Sequence, residues 1–133
     1  MTGTLSITSS RAHTNVDVTI FHLSGTLDST SEDALCEQAR AAFEGGAKSL
    51  LLDFQNLEFI SSAGLRALHN IFQMCTPVEE IKRARKNDEP YKSPYFKLAN
   101  ASPNVYSVLN MAGFLHNIAF YPTMDDALKS FTA

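Results

Sequence analysis

The run Leu50–Phe54 is the sequence feature that most constrains the fold. Leu50, Leu51 and Leu52 are apolar at consecutive positions, and turn-forming residues bound the run. A short run of this kind is typical of a strand that is buried on both faces, as central strands of parallel sheets are. Layers must then cover the sheet on both sides, so the run predicts an α/β protein.

Strand and helix patterns alternate along the rest of the chain. Further strands are predicted where apolar residues alternate or cluster, near residues 5–7, 16–23, 95–98 and 118–120. Helices are predicted to begin at hydroxyl residues, near 29–31, 62, 102 and 123. Stop signals for helices stand at Gly45-Gly46, Pro77 and Gly113, and a loop is predicted between the strand at 50–54 and Ile60.

The predicted order is β-β-α-β-α-β-α-β-α. It corresponds to a single α/β domain, residues 1–133, with a central mixed, largely parallel sheet of about five strands and about four α-helices. The stretch 76–94 departs from the pattern, because residues 78–94 are charged and mixed in sign. We expect a charged insertion there that is partly disordered or extends the second helix. Shortening the region from Val78 to Asp88 should then cost little stability.

Charge and composition exclude several classes of protein. The chain of 133 residues has a net charge of −3, so nucleic acid is not an expected partner. No apolar run approaches the roughly 20 residues of a membrane span, and the start lacks the apolar stretch of a signal peptide. Cys36 and Cys75 are too few for a disulfide scaffold. We therefore expect a cytoplasmic protein without a membrane span.

Signals for catalysis or cofactors are weak. The fragment Gly45–Ser49 contains Gly-x-Lys-Ser, which is part of the motif of a phosphate-binding loop. It precedes a strand, however, whereas a phosphate-binding loop follows a strand and opens a helix. The histidines and cysteines lack metal-ligand spacing, and His22 is interpreted as structural. A small hydrolase with Ser62 as nucleophile would need a base and an oxyanion site, and the sequence offers no recognisable set. We predict neither an enzyme nor a metal or cofactor.

Two serines, Ser61 and Ser62, stand where the second helix should begin. A serine there can cap the helix. It can equally receive a phosphate, since the free N–H groups and the dipole of a helix start favour an anion. The residues alone leave both interpretations open.

A family resemblance decides between these interpretations. The run 52–68, LDFQNLEFISSAGLRAL, resembles the signature of the STAS domain, and more narrowly that of bacterial anti-sigma-factor antagonists. Gly25-Thr26-Leu27-Asp28 is similar to the Gly-x-Leu-Asp turn of that family. The segments 100–103, 111–114 and 125–128 also fit, so the resemblance covers nearly all of the chain except 76–94.

The resemblance implies a protein that acts by binding. An unphosphorylated antagonist binds an anti-sigma factor that is often also a serine kinase. The kinase uses ATP to phosphorylate the serine at the helix start, binding is lost, and a serine phosphatase restores it. By position, Ser62 is the implied phosphoacceptor. Ser61, where many members have Asp, is a second candidate. The alternative is a non-phosphorylated STAS accessory subunit of a transporter or signalling scaffold.

The resemblance also implies a partner-binding surface near Ser62 and Asp28. The residues predicted for this surface are Asp28, Ser61, Ser62, Gly64, Arg66 and His69. Asp28 should lie near Ser62, although a turn residue that accepts a local backbone hydrogen bond is the simpler interpretation. Arg66 and His69 follow Ser62 by four and seven positions, so one helix face can carry all three. For Arg66 the alternative is a solvated side chain. Gly64 should permit close backbone approach at the helix start.

Overall fold

Five strands form one mixed sheet in which spatial order follows sequence order. The computed structural model describes residues 5–14 and 16–131. β1 pairs antiparallel with β2, and all later pairs are parallel; the strands are β1 (Leu5–His13), β2 (Asp17–Leu27), β3 (Leu50–Ile60), β4 (Phe96–Ala99) and β5 (Ala119–Tyr121). The predicted mixed, largely parallel sheet in a single domain is confirmed.

Five α-helices accompany the sheet in the described part of the chain: α1 (Glu32–Glu44), α2 (Ser62–Cys75), α3 (Val78–Lys86), α4 (Pro103–Met111) and α5 (Met124–Ser130). Four of them correspond to the predicted helices, and α3 is additional. It does not extend α2, because Thr76 and Pro77 have extended backbones. None of the helices among the described residues is long and apolar enough to cross a membrane.

The two faces of the sheet are covered unequally. On one face, α1, α2 and α4 pack against a large core that includes Phe21, Leu52 and Leu98. On the other face, α5 covers a smaller cluster around Ile20 and Leu51. The run Leu50–Phe54 is buried throughout, as predicted. Because α5 is short, it leaves part of the second face uncovered.

Local signals at helix ends are largely confirmed. The Ser102 hydroxyl accepts the N–H of Val105 at 3.3 Å, and Thr123 Oγ1 accepts the N–H of Asp126 at 3.2 Å. Gly113 follows α4 with a φ of 78°, a left-handed conformation that glycine adopts without strain. These caps fix where α4 and α5 begin and where α4 ends.

The structure corrects the prediction of a loop after Phe54. β3 continues to Ile60, because residues 24–27 of β2 pair with residues 56–60. Two register shifts interrupt this pairing, between His22 and Ser24 and between Gly25 and Thr26. The irregular register breaks the simple alternation that would have indicated a strand.

The predicted hydroxyl cap of α1 is also corrected. Ser31 stands directly before the helix, but its hydroxyl makes no capping bond. It donates instead to the carbonyl of Thr26 at 2.9 Å and accepts the N–H of Asp28 at 3.0 Å. Ser31 therefore stabilises the turn that leads out of β2.

The charged stretch 76–94 is packed on the domain. The Glu80 carboxylate of α3 accepts the hydroxyls of Tyr91 at 3.0 Å and Tyr95 at 2.6 Å. Ile81 packs against the large core, as does Tyr91, whose ring meets Phe72 edge to face with centroids 6.3 Å apart. The prediction of a partly disordered segment is therefore wrong, and these contacts argue against the expectation that residues 78–88 can be shortened at little cost.

Candidate functional site

The carboxyl ends of β2 and β3 bring the predicted site residues together. Leu27 is paired with Ile60, and the N–H of Ser61 donates to the Leu27 carbonyl at 3.0 Å. Asp28 and Ser61 each follow this pair, on strands that lie about 4.8 Å apart. The Gly-x-Leu-Asp turn and the serine pair therefore share one edge of the sheet, as expected.

The two serines at this edge have different roles. Ser61 has an extended backbone and caps α2, because its side chain accepts the N–H of Gly64 at 3.3 Å. Ser62 is the first residue of the helix and is exposed. Within the described part of the chain, no hydrogen bond involves its hydroxyl. The cap is thus Ser61, and the hydroxyl of Ser62 is left accessible to solvent.

Gly64 sets how closely α2 approaches the sheet. A Cβ atom at this position would lie 2.6 Å from the Leu27 carbonyl oxygen and 2.7 Å from Cγ1 of Ile60. Real Cβ atoms do not approach other heavy atoms so closely, so only glycine fits there. The predicted close approach is confirmed. Gly64 is buried and holds the serine pair against the strand ends.

Asp28 forms the turn that its simpler interpretation predicts. Its Oδ1 accepts the backbone N–H of Thr30 at 2.9 Å and the hydroxyl of Thr30 at 2.6 Å. The hydroxyl bond is the main reason why the pKa of Asp28 lies below its ordinary value, and the backbone bond adds to it. The carboxylate is therefore charged and held in place at neutral pH, next to the serine pair.

Arg66 is tied to α1. Its Nε donates to Oε2 of Glu32 at 2.6 Å and its Nη2 to Oε1 at 2.8 Å, a bidentate pair. The hydrogen bond from Arg66 is the main cause of the lowered pKa of Glu32. The Arg66 side chain is 63% exposed and that of Glu32 only 13%. Sequence reasoning missed Glu32, which lies 34 positions from Arg66 in the sequence.

His69 lies on the same side of α2, about 10 Å along the helix from Ser62. It is exposed, and its ring stacks on Phe72 with a centroid distance of 6.5 Å. It borders a cleft between α2 and α3 that Ile81 and Arg85 also line. The helix face predicted from the spacing of Ser62, Arg66 and His69 is therefore present and accessible.

A second polar cluster lies on the part of the sheet that α5 leaves uncovered. Nδ1 of His22 is 2.7 Å from Oδ2 of Asp53, and Nε2 of His22 is 2.9 Å from the hydroxyl of Ser10. The three residues come from β1, β2 and β3, and are 12 and 31 positions apart in sequence. No local motif could have revealed this arrangement.

This architecture, with a serine pair where β3 leads into α2, is that of a small α/β domain of the STAS type. The family model for the STAS domain matches residues 9–79, just over half of the chain. The protein therefore belongs to the STAS domain family. Curated protein sequences give no match to the chain.

Solved structures confirm the fold. An anti-sigma factor antagonist from Mycobacterium paratuberculosis is 20% identical, with 98% of each chain covered and a TM-score of 0.74. An anti-sigma-factor antagonist (STAS) domain protein from Planctomyces limnophilus is 18% identical, covering 93% of this chain and 97% of that one, with a TM-score of 0.62. The phosphorylated form of the Bacillus cell fate determinant SpoIIAA is 17% identical, with the same coverage and a TM-score of 0.55.

Proposed function

We propose that this protein is a cytoplasmic anti-sigma-factor antagonist whose binding is switched off by phosphorylation of Ser62. Its partner is an anti-sigma factor that is also an ATP-dependent serine kinase, and a serine phosphatase reverses the modification. The observation that carries the proposal is the division of roles at the start of α2. Ser61 supplies the cap, so the exposed hydroxyl of Ser62 can be modified without loss of a structural bond.

Accessibility favours Ser62 over Ser61 as the acceptor. A kinase must surround the hydroxyl that it modifies, and Ser62 is exposed whereas Ser61 is half-buried. The Ser61 hydroxyl oxygen also already serves as the cap of α2, a bond that typically stabilises a helix by about 1 kcal/mol. Phosphorylation of Ser62 leaves that cap in place, so the domain stays folded in both states.

A phosphate on Ser62 would change the charge of the surface without destabilising the helix. The helix dipole favours an anion at this position by about 0.3–1 kcal/mol, and the first turn of α2 contains no acidic residue. Phosphoserine adds a charge of about −1.5 to −2 beside Asp28 and the Glu32–Arg66 pair. A partner that docks over this surface must then desolvate or oppose that charge, which weakens binding.

Arg66 is the cation best placed to respond to the phosphate. It follows Ser62 by one helical turn, a spacing at which side chains meet, but its guanidinium is engaged by Glu32. The phosphate and Glu32 would compete for it, so phosphorylation would also alter the contact between α1 and α2. Asp28, Arg66 and His69 complete the proposed partner surface.

The comparisons support this assignment at the level of fold. The structural neighbours include anti-sigma factor antagonists, and one of them, SpoIIAA, is described in a phosphorylated form. The STAS match ends at residue 79, where α3 has just begun. The structural match to the antagonist from Mycobacterium paratuberculosis covers 98% of this chain, which supports the interpretation of residues 1–133 as one STAS domain, and the insertion at about 76–94 stays a prediction.

The test compares Ser62→Ala, Ser62→Asp and the enzymatically phosphorylated protein in titrations against the purified partner kinase. We expect Ser62→Ala to bind and to resist phosphorylation. The phosphorylated protein should bind at least about tenfold more weakly, which corresponds to 1.4 kcal/mol, and Ser62→Asp should fall between them. Ser61→Ala is the matched control, since it loses the cap but should still be phosphorylated.

Two results would refute the proposal. One is equal affinity of all three forms for the partner, with folds verified by circular dichroism. The other is the absence of phosphate on Ser62 under every growth condition, measured by intact mass and peptide mapping of protein from its native cell with and without phosphatase treatment. The second result would favour a non-phosphorylated accessory subunit.

A further inference from the structure

We propose that Ser10 is an activated nucleophile that accepts an acyl group from an activated ester, with His22 as its general base and Asp53 as a positioning residue. The proposal rests on the hydrogen-bonded chain from Asp53 through His22 to Ser10, with separations of 2.7 Å and 2.9 Å. It is independent of the function proposed for Ser62, which lies at the start of α2.

The direction of the hydrogen bonds follows from the donors and acceptors. An ionised carboxylate can only accept, so Nδ1 of His22 carries the proton that is shared with Asp53. In the neutral ring Nε2 then has no proton and accepts from the hydroxyl of Ser10. This is the tautomer that a general base needs in order to remove the proton of a serine.

Asp53 is itself held in place. Its side chain is only 9% exposed, and its Oδ1 accepts the N–H of Gln55 at 3.0 Å and the side-chain amide of Asn100 at 3.4 Å. Asn100 has a φ of 67°, a left-handed conformation that asparagine tolerates better than most residues. The bonds on Oδ1 hold the carboxylate in place and leave Oδ2 to accept from Nδ1 of His22. The fixed carboxylate in turn restricts the orientation of the imidazole.

The nucleophile and the base are both accessible. Ser10 is exposed on β1, and the side chain of His22 is 39% exposed. Thr8 is paired opposite His22, so the neighbouring position on this face carries a small side chain. An ester can therefore reach the hydroxyl from solvent. This face of the sheet is open to solvent. We therefore expect the rate of acylation to rise only by the contribution of general-base catalysis, about 100-fold.

The reaction balances with the ester as the only co-reactant. Oγ of Ser10 attacks the carbonyl carbon while its proton moves to Nε2 of His22. The bond between the carbonyl carbon and the leaving oxygen then breaks, and the leaving group takes the proton from Nε2. The products are an O-acyl serine and an alcohol or phenol, and no oxidation or reduction occurs.

The test uses p-nitrophenyl acetate at neutral pH, with release of p-nitrophenol measured by absorbance and the acetylated residue located by peptide mapping. We expect acetylation of Ser10 in the parent protein, none at that position in Ser10→Ala, and a rate at Ser10 about 100-fold lower in His22→Gln. Ser24→Ala is the matched control, because Ser24 is an exposed serine on the neighbouring strand.

The role of Asp53 is tested by NMR. We expect the Nδ1 proton of His22 to give a resolved downfield signal that persists in Ser10→Ala and is lost in Asp53→Asn. If Asp53→Asn does not fold, the acetylation of Ser10 in the parent, Ser10→Ala and His22→Gln still tests whether Ser10 is the nucleophile and His22 its base. Acetylation of Ser10 at the same rate as Ser24, or a rate that does not change in His22→Gln, would overturn the proposal.

Discussion

Replacing Gly64 by alanine tests the packing that holds the serine pair in place. The added Cβ would lie 2.6 Å from the carbonyl oxygen of Leu27 and 2.7 Å from Cγ1 of Ile60. The Leu27 carbonyl belongs to a strand and accepts the N–H of Ser61, so it cannot move without disturbing that bond. We therefore expect the start of α2 to be pushed away from the sheet.

Opposing effects set the size of the loss. Alanine is favoured over glycine within a helix by about 1 kcal/mol. Overpacking typically costs about 1–3 kcal/mol, and the backbone contact places Gly64→Ala at the upper end of that range. The disturbed hydrogen bond costs about 1 kcal/mol more. The net expectation is a loss of about 3 kcal/mol in the free energy of unfolding, or about 10 °C in melting temperature.

Urea denaturation of Gly64→Ala measures this loss as a shift in midpoint at unchanged slope. Gly45→Ala is the matched control, because the same change at the end of α1 brings the new Cβ no closer than 3.3 Å to another atom. We expect that control to change stability by less than about 1 kcal/mol. A Gly64→Ala protein as stable as the parent would show that the reasoning about close approach is wrong.

Three further predictions concern Asp28, Glu80 and Glu32. Asp28→Ala should lower the melting temperature because the turn loses its bonds to Thr30, whereas Asp28→Asn should retain the turn and weaken only partner binding. Glu80→Ala should lose about 1–2 kcal/mol, because two tyrosine hydroxyls lose their acceptor. The lowered pKa of Glu32 means that its contribution to stability is present above its ordinary pKa of 4.5 and is lost as the pH falls through its folded value. The urea midpoint should therefore fall less on acidification in Glu32→Gln than in the parent.

Each of these predictions has a distinct contrary outcome. Equal partner affinity in Asp28→Asn and the parent would remove Asp28 from the partner surface. Glu79→Ala is the control for Glu80, since Glu79 is exposed on the same helix; equal losses in both variants would show that the tyrosine contacts contribute nothing. An identical acid dependence in Glu32→Gln and the parent would contradict the stabilising ion pair.

The parts of the fold that were predicted from the sequence are those with local causes. Thr123 and Ser102 are caps whose bonds span three residues, so their spacing is visible in the sequence. Gly113 ends α4 for a reason that lies in its own backbone. The fully buried run Leu50–Phe54 identified the central strand because few other elements tolerate such a run.

The parts that were missed depend on distant contacts. The continuation of β3 to Ile60 depends on irregular pairing with β2, which a search for alternation does not detect. The polar, charged composition of α3 concealed that Glu80 and Ile81 anchor it to the domain. In the candidate site, the bond between Arg66 and Glu32 joins residues 34 positions apart.

The serine pair shows the same limit on a finer scale. Sequence reasoning placed a serine at the start of α2, but the choice of cap depends on where the first helical turn closes. That closure depends on the contact of Gly64 with Leu27, which only the fold provides. The serine that caps the helix, Ser61, and the accessible serine, Ser62, are therefore neighbours in the sequence, and only the fold distinguishes their roles.

The two outer strands of the sheet differ in a way that affects self-association. β5 has three residues and β1 has nine, and β1 pairs only with β2 among the described residues. Its outer side therefore offers a long row of backbone groups to which a strand of another molecule could add. Serines, a threonine and Arg11 make this edge polar and so disfavour such addition. Substitutions of Ser6 or Ser9 by valine would leave the folded domain almost unchanged and yet promote aggregation, a liability that measurements of folding stability would not reveal.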